Sequence, residues 1–155
     1  MKGARWAPFA FLPSIVDSVS PRSTRPETRE HQMRYVCLVH VDPALIDAAT
    51  PEELAGMDRD NQEANARLTA SGHLILDLAL KAPDTARIVR SRDGKVSATD
   101  GPYVESKEHL GGFFVIEAAG LDEAVAIARR EPMARYGSIE VRAEMGISWQ
   151  QPKSA

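Results

Sequence analysis

Residues 111–117 read Gly-Gly-Phe-Phe-Val-Ile-Glu, an aromatic and β-branched run that is typical of a β-strand. Side chains alternate along a strand, so Phe113 and Val115 point to one side and the residues that follow each of them point to the other. A second strand is predicted over residues 34–41, and it is also apolar on both sides. The sheet built from these strands therefore needs cover on both faces.

The segments around these two strands alternate between helix and strand patterns. Thr50-Pro51-Glu52-Glu53 predicts a helix start with a capping box, and the helix is expected to end near Ser71, before Gly72. The remaining predicted elements are a strand over 74–80, a hairpin of strands 87–92 and 95–99 around Asp93-Gly94, a helix over 121–131 and a strand over 138–144. This order predicts an α+β, ferredoxin-like sandwich with both helices on one face of a mostly antiparallel sheet.

Two helices cover only one of the two apolar sheet faces. An uncovered face would expose a large apolar patch, which monomers rarely do. Burial gives about 25 cal/mol per Å² of apolar surface, so a second copy on that face would gain several kcal/mol before association costs. The sequence therefore predicts a homodimer that packs sheet to sheet.

Composition excludes several classes of function. Lys and Arg number 19 against 22 Asp and Glu, a formal charge of −3, which argues against a nucleic-acid-binding protein. No apolar run is long enough for a membrane span. The one cysteine, Cys37, is predicted to be buried and inert; it excludes a disulfide framework and fits the cytoplasm.

The first 32 residues differ from the rest of the chain. They contain four of the ten prolines and a formal charge of +2. We expect residues 1–32 to be a disordered or dispensable extension, with a targeting segment as the alternative. The folded domain is predicted over residues 33–145, followed by a loose tail over 146–155.

The most distinctive segment follows the predicted hairpin. Residues 100–108 read Asp-Gly-Pro-Tyr-Val-Glu-Ser-Lys-Glu, and Leu-Gly-Gly-Phe follows at 110–113. This resembles the DGPF branch of the YCII-related family, with Tyr103 in place of the usual Phe. The resemblance implies a ferredoxin-like dimeric α/β barrel. It also implies a His–Asp pair with the His on the first helix, where this chain has Asn61, which does not shuttle protons near neutral pH.

Two residues are candidate catalytic groups. Asp100 begins a stiff turn, since Pro102 fixes its own φ and restricts the residue before it, so a carboxylate there is held in a defined direction. The alternative is that Asp100 caps its own turn. His40 ends the first strand and carries an imidazole that exchanges protons near neutral pH; alternatively it is simply exposed.

Four further residues are candidate ligand-binding groups. Asn61 interrupts the apolar stripe of the first helix, so it satisfies the core or faces a cavity. Tyr103 offers a ring wall, while Glu105 and Lys107 bring both charge signs near the same turn; a solvated surface is the alternative for these charges. No metal or cofactor is predicted, because no ligand pair has diagnostic spacing.

These observations favour a small cytoplasmic protein that binds a small polar metabolite in a dimer-supported cleft. Such a protein could catalyse a cofactor-free proton transfer of the isomerase or lyase type, with Asp100 and His40 as the proton-transfer groups. The alternative is a non-catalytic interaction or regulatory protein associated with sigma-factor systems, as the resemblance also implies.

Overall fold

The computed structural model of the chain describes residues 32–101 and 107–146. Six strands are found there: β1 (Met33–Val41), β2 (Leu74–Ala79), β3 (Arg87–Arg92), β4 (Lys95–Asp100), β5 (His109–Ala118) and β6 (Gly137–Ala143). Every predicted strand is present, and the ends agree within a few residues. The predictions for residues 1–31, Tyr103, Glu105 and residues 147–155 lie outside the described residues.

Four of the strands form one antiparallel sheet in the order β2-β5-β1-β6. β1 lies in the centre, and its Cys37 is opposite Phe114 on one side and Val141 on the other. This order is compatible with a ferredoxin-like fold, and the predicted α+β class is confirmed.

In the described part of the chain, three α-helices connect the strands: α1 (Pro43–Ala48), α2 (Pro51–Ala70) and α3 (Leu121–Ala128). The sequence analysis missed α1, a helix of six residues whose start is capped by Asp42 through Ala44 N at 3.0 Å. The prediction that the second long helix extends to residue 131 was wrong. The helix ends at Ala128, and a 3₁₀ helix over Pro132–Arg135 follows, consistent with a proline that cannot continue an α-helix.

The start of α2 has the predicted capping box. Thr50 Oγ1 accepts a hydrogen bond from Glu53 N at 3.2 Å, and Glu53 Oε2 accepts one from Thr50 N at 2.7 Å. The bonds from Thr50 lower the pKa of the Glu53 carboxyl. Two backbone N–H groups at the start of the helix, which have no acceptor within the helix, thereby gain a hydrogen-bond partner.

We expect Thr50→Ala to reduce the free energy of unfolding by about 1 kcal/mol, because the helix loses its N-cap acceptor. The matched control is Thr69→Ala, an exposed threonine in the last turn of the same helix. Its effect should lie within about 0.5 kcal/mol of zero. Urea unfolding of both variants measures the difference, and equal losses would contradict a specific capping role.

One face of the sheet lies under the helices and forms the core. Its main cluster is Tyr35, Cys37, Leu68, Phe114, Ile116, Ala118 and Ala124. A second cluster of Val41, Ile46 and Met57 lies at the β1 end next to α1. The side chains of β1 that face the helices are thus Tyr35, Cys37, Val39 and Val41, every second residue of the strand, as alternation along a strand requires.

The opposite face, which we call the open face, has none of the helices of residues 32–101 and 107–146 over it. Its apolar side chains come from β1, β5 and β2: Val36, Leu38, Phe113, Val115, Leu76 and Leu78. Those on β1 and β5 are half-buried, while Leu76 and Leu78 on β2 are exposed. An apolar patch of this kind lies where the sequence predicted a second apolar face.

Strands β3 and β4, which follow β2 and precede β5 in the sequence, form a separate two-stranded sheet. Asp93 and Gly94 both have positive φ, 50° and 71°, as the predicted type I′ turn requires.

Among the described residues, none of the helices has the length and apolar composition of a membrane span.

Candidate functional site

A cavity of about 70 Å³ lies between α2 and the sheet, on the helix-covered side. Its apolar wall includes Val39 and Val41 of β1, Phe114 of β5 and Met133 of the 3₁₀ helix. Four polar side chains also line it: Asn61, Asn65, Asp77 and Glu131. The combination of apolar walls with a few converging polar groups is typical of small-molecule sites.

Two asparagines on α2 form the helix side of the cavity. Asn61 and Asn65 are four residues apart and therefore lie on the same side of the helix, next to the buried Ala64 and Leu68. Asn61 Nδ2 donates to Met133 Sδ at 3.5 Å. A thioether sulfur is a weak acceptor, so this amide can turn to a stronger acceptor on a ligand.

The sheet side of the cavity contributes a fixed carboxylate. Asp77 lies on β2 opposite Phe114, on the helix-covered face. Its Oδ2 accepts a hydrogen bond from Asn65 Nδ2 at 2.8 Å. This bond joins α2 to the edge strand and orients the carboxylate, which is what a ligand-binding group requires.

A second carboxyl group, that of Glu131, enters the cavity from the segment between α3 and the 3₁₀ helix. Burial raises the pKa of Glu131 above its ordinary value. The positive charge of Arg67 opposes this shift, and the negative charge of Asp77 adds to it. A carboxyl group of this kind keeps its proton to higher pH than an exposed one and can give or take a proton nearer to neutrality.

Cys37 is buried in the core and interacts electrostatically with the same carboxyl group. Burial and then the negative charge of Glu131 raise the pKa of its thiol to about 12. The thiol is therefore protonated at neutral pH and is a poor nucleophile, in agreement with the sequence prediction.

Of the residues predicted from the sequence, Asn61 lies in the wall of this cavity. Asp100 does not line it: its side chain is 85% exposed at the end of β4, where Oδ1 is 3.2 Å from Arg87 Nη1. The carboxylate thus pairs with the neighbouring strand, and no bond to its own turn is found among the described residues.

His40 and Lys107 lie elsewhere. His40 is on the open face, with Nε2 3.7 Å from Glu140 Oε2. Lys107 Nζ is 3.3 Å from Oδ2 of the buried Asp42. Asp100, His40 and Lys107 thus lie in three separate contacts, with Arg87, Glu140 and Asp42 respectively, rather than in one site. Tyr103 and Glu105 are outside the described residues.

Sequence reasoning missed three of the four polar groups of the cavity. Asn65 had a usable signal, since it follows the singled-out Asn61 by four residues on a predicted helix. Asp77 interrupts an otherwise apolar strand, which is also a signal. Glu131 had no usable signal in the sequence, because the residue was assigned to the end of the predicted helix over 121–131. Within residues 32–101 and 107–146, no group of three or more His, Cys, Asp or Glu side chains could hold a metal ion.

Comparison with known proteins identifies the family of this chain. The family model described as the YCII-related domain matches residues 33–145, which is most of the chain. The chain belongs to the YCII-related family. An uncharacterized protein of Rhizobium meliloti (strain 1021) is 34% identical over 112 residues, covering 71% of this chain and 90% of that protein. Membership in the YCII-related family confirms the resemblance at the family level, and the DGPF branch stays a prediction from residues 100–108.

Proposed function

We propose that the cavity between α2 and the sheet binds a small polar metabolite and that Glu131 exchanges a proton with it. The observation that carries this proposal is the position of Glu131: a partly buried carboxyl group with a raised pKa, beside Asp77 at one cavity. Perturbed carboxyl groups in clefts are concentrated at functional sites.

The polar lining indicates the chemistry of the ligand. Asp77 and Glu131 supply carboxyl oxygens and the two asparagines supply amide oxygens, and none of the lining residues that the structure describes is a lysine or an arginine. A ligand rich in hydrogen-bond donors, such as a small amine or a polyhydroxylated molecule, matches these groups. The volume of about 70 Å³ corresponds to roughly five water molecules, so the cavity accepts a molecule of few atoms or the reacting end of a larger one.

The proposed reaction is a cofactor-free proton transfer. The Glu131 carboxylate takes a proton from one position of the bound molecule and, as the neutral acid, returns it to another position. The net change is an isomerisation, and neither an oxidant nor a reductant is needed. Asp77, held by Asn65, and the amide of Asn61 orient the molecule while the proton moves.

The sequence-predicted set of Asp100, His40 and Lys107, with Tyr103 and Glu105, is the competing site. The exposure of Asp100 and its ion pair with Arg87 favour Glu131 over it as the proton-transfer group. A binding experiment with variants of both sites separates the two.

We expect a thermal-shift screen of the full chain against small amines, amides and polyhydroxylated molecules to give hits that depend on the cavity. Loss of a charge-assisted hydrogen bond costs about 1.5–3 kcal/mol, so Glu131→Gln and Asp77→Asn should each weaken a hit about 10- to 100-fold by titration calorimetry. Asp100→Asn is the control and should leave the dissociation constant unchanged.

Hits that are weakened by Asp100→Asn and unaffected by Glu131→Gln would contradict the proposal and favour the competing site. A chain that gives no hit with any compound of these classes would contradict it too. That outcome would favour the non-catalytic, regulatory alternative.

We also propose that two copies pack through their open faces as a dimeric α/β barrel. The support is the apolar surface of β1, β5 and β2, which no helix in the described part of the same protomer covers. Sedimentation velocity at micromolar concentration tests this proposal: a dimer is expected, and a stable monomer would contradict it.

We further propose a cytoplasmic location, because the one cysteine of the chain is a buried free thiol and reducing compartments keep thiols free.

A further inference from the structure

The β3–β4 hairpin stands apart from the rest of the protomer. Its two strands pair with each other from Arg87↔Asp100 to Arg92↔Lys95 and belong to a different sheet from the other four strands. At its base, Gly101 N donates to Ala86 O at 2.9 Å, and Arg87 pairs with Asp100. An isolated two-stranded hairpin is at best marginally stable in water, so this one needs a surface to pack on.

The two sides of the hairpin differ in chemistry. One side carries the cross-strand pairs Arg87↔Asp100, Val89↔Ala98 and Ser91↔Val96, and the other carries Ile88↔Thr99, Arg90↔Ser97 and Arg92↔Lys95. Val89 and Val96 are 68% and 73% exposed, respectively. Beyond the ion pair at its base, the first side therefore presents two exposed valines, and we call it the valine side; the other side carries three basic residues, and we call it the cationic side.

The open face of the sheet offers a matching surface. Its outermost apolar row is on the edge strand β2, where Leu76 and Leu78 are 40% and 47% exposed. The charged residues of the open face and its margin are Arg34, Glu108, Glu117, Glu140, Arg142 and Glu144, a formal charge of −2. The hairpin from Arg87 to Asp100 has four basic and two acidic residues, a formal charge of +2.

We infer that the hairpin is a dimerisation arm whose valine side packs on the Leu76–Leu78 row of a second copy. This inference rests on the proposed open-face dimer and goes beyond it, because it adds a second contact made by a different element. The centres of the two sheets face each other, and each arm covers the exposed β2 margin of the other copy. The opposite formal charges favour this pairing during association.

Adjacent residues on β4 give a matched test. Val96 and Ser97 are both exposed and point to opposite sides of the hairpin. We expect Val96→Glu to raise the dimer dissociation constant at least about tenfold in sedimentation equilibrium, as loss of an apolar interface contact does. Ser97→Glu adds the same charge on the other side and should change the constant less than threefold. Circular dichroism confirms that both variants fold.

A crosslinking experiment identifies the receiving surface. A Val96→Cys chain mixed with a Leu78→Cys chain should form an intermolecular disulfide under mild oxidation, in higher yield than a Ser97→Cys chain mixed with Leu78→Cys. The native Cys37 does not interfere, because it is buried and its thiol pKa is raised to about 12.

The outcomes separate this inference from the proposed dimer. A wild-type monomer would overturn both. A wild-type dimer that Val96→Glu and Ser97→Glu affect equally would overturn the arm and leave the open-face dimer standing. A dimer weakened by Val96→Glu without the Val96–Leu78 crosslink would also overturn the arm as placed here.

Discussion

Gly137→Ala is expected to reduce the free energy of unfolding by about 3 kcal/mol, the upper end of what overpacking costs. Gly137 is the first residue of β6 and lies opposite Val41 of β1. A Cβ atom added at Gly137 would lie 2.1 Å from the carbonyl oxygen of His40. Because the obstacle is backbone rather than a flexible side chain, β6 must move away from β1 to accept the methyl group.

The control is the same substitution at Gly56, inside α2. A Cβ atom there would meet only Arg59 Nη2, at 3.8 Å. Alanine is the better helix former, so Gly56→Ala should increase the free energy of unfolding by up to about 1 kcal/mol. Urea unfolding of both variants gives the two signs, and a neutral Gly137→Ala would contradict the close β1–β6 contact.

Glu131→Gln is expected to stabilise the protein above neutral pH, although it removes a charged side chain. Burial raises the pKa of Glu131, so the folded state binds this proton more tightly than the unfolded state does. The free energy of unfolding of the wild type therefore falls as pH rises from about 4.5, the ordinary value, through the folded-state pKa. The Glu131→Gln variant does not lose this free energy. Its free energy of unfolding relative to the wild type therefore increases over this pH range, and the difference is absent below it.

Glu53→Gln gives the opposite sign as a control. Hydrogen bonds from Thr50 lower the pKa of Glu53, so its contribution is present at neutral pH and is lost as pH falls through the folded-state pKa. Thermal unfolding of the wild type and both variants between pH 3 and 8 measures the differences on both sides of the ordinary value of 4.5. A Glu131→Gln variant that is less stable than the wild type at pH 8 would contradict a cavity in which burial disfavours the charged form of Glu131.

The sequence predicted the sheet because its signals are local. Alternation along residues 34–41 and 111–117 defined two-sided apolar strands, and the Asp93-Gly94 dipeptide defined the hairpin. The Thr50–Glu53 spacing defined the start of α2, since a capping box requires only four consecutive residues. Each of these features depends on neighbours in the chain, so a single sequence contains the necessary information.

The elements that escaped prediction are too short for a periodic pattern. Helix α1 has six residues, fewer than two turns, and its start is marked only by the N-cap Asp42 and by Pro43 at the first helical position. The end of α3 was misplaced because residues 129–131 continue in a turn whose composition does not differ from that of a helix. In both places the outcome depends on tertiary packing, which propensity does not describe.

The candidate site was harder to predict than the fold. Asn61, Asp77 and Glu131 come from a helix, a strand and a connecting segment, and only the β2-β5-β1-β6 topology brings them to one cavity. The sequence directed attention to Asp100 instead, because a distinctive turn is conspicuous in a single chain. The structure places that carboxylate beside Arg87 and away from the cavity, and a functional role for Asp100 stays a prediction.

The most direct test of the central claim is a ¹³C NMR titration of the Glu131 side-chain carboxyl, assigned by its absence in Glu131→Gln. We expect a midpoint above the ordinary value of 4.5, because burial next to Asp77 disfavours the charged form. A midpoint at or below 4.5 would contradict the claim that Glu131 is a proton-transfer group.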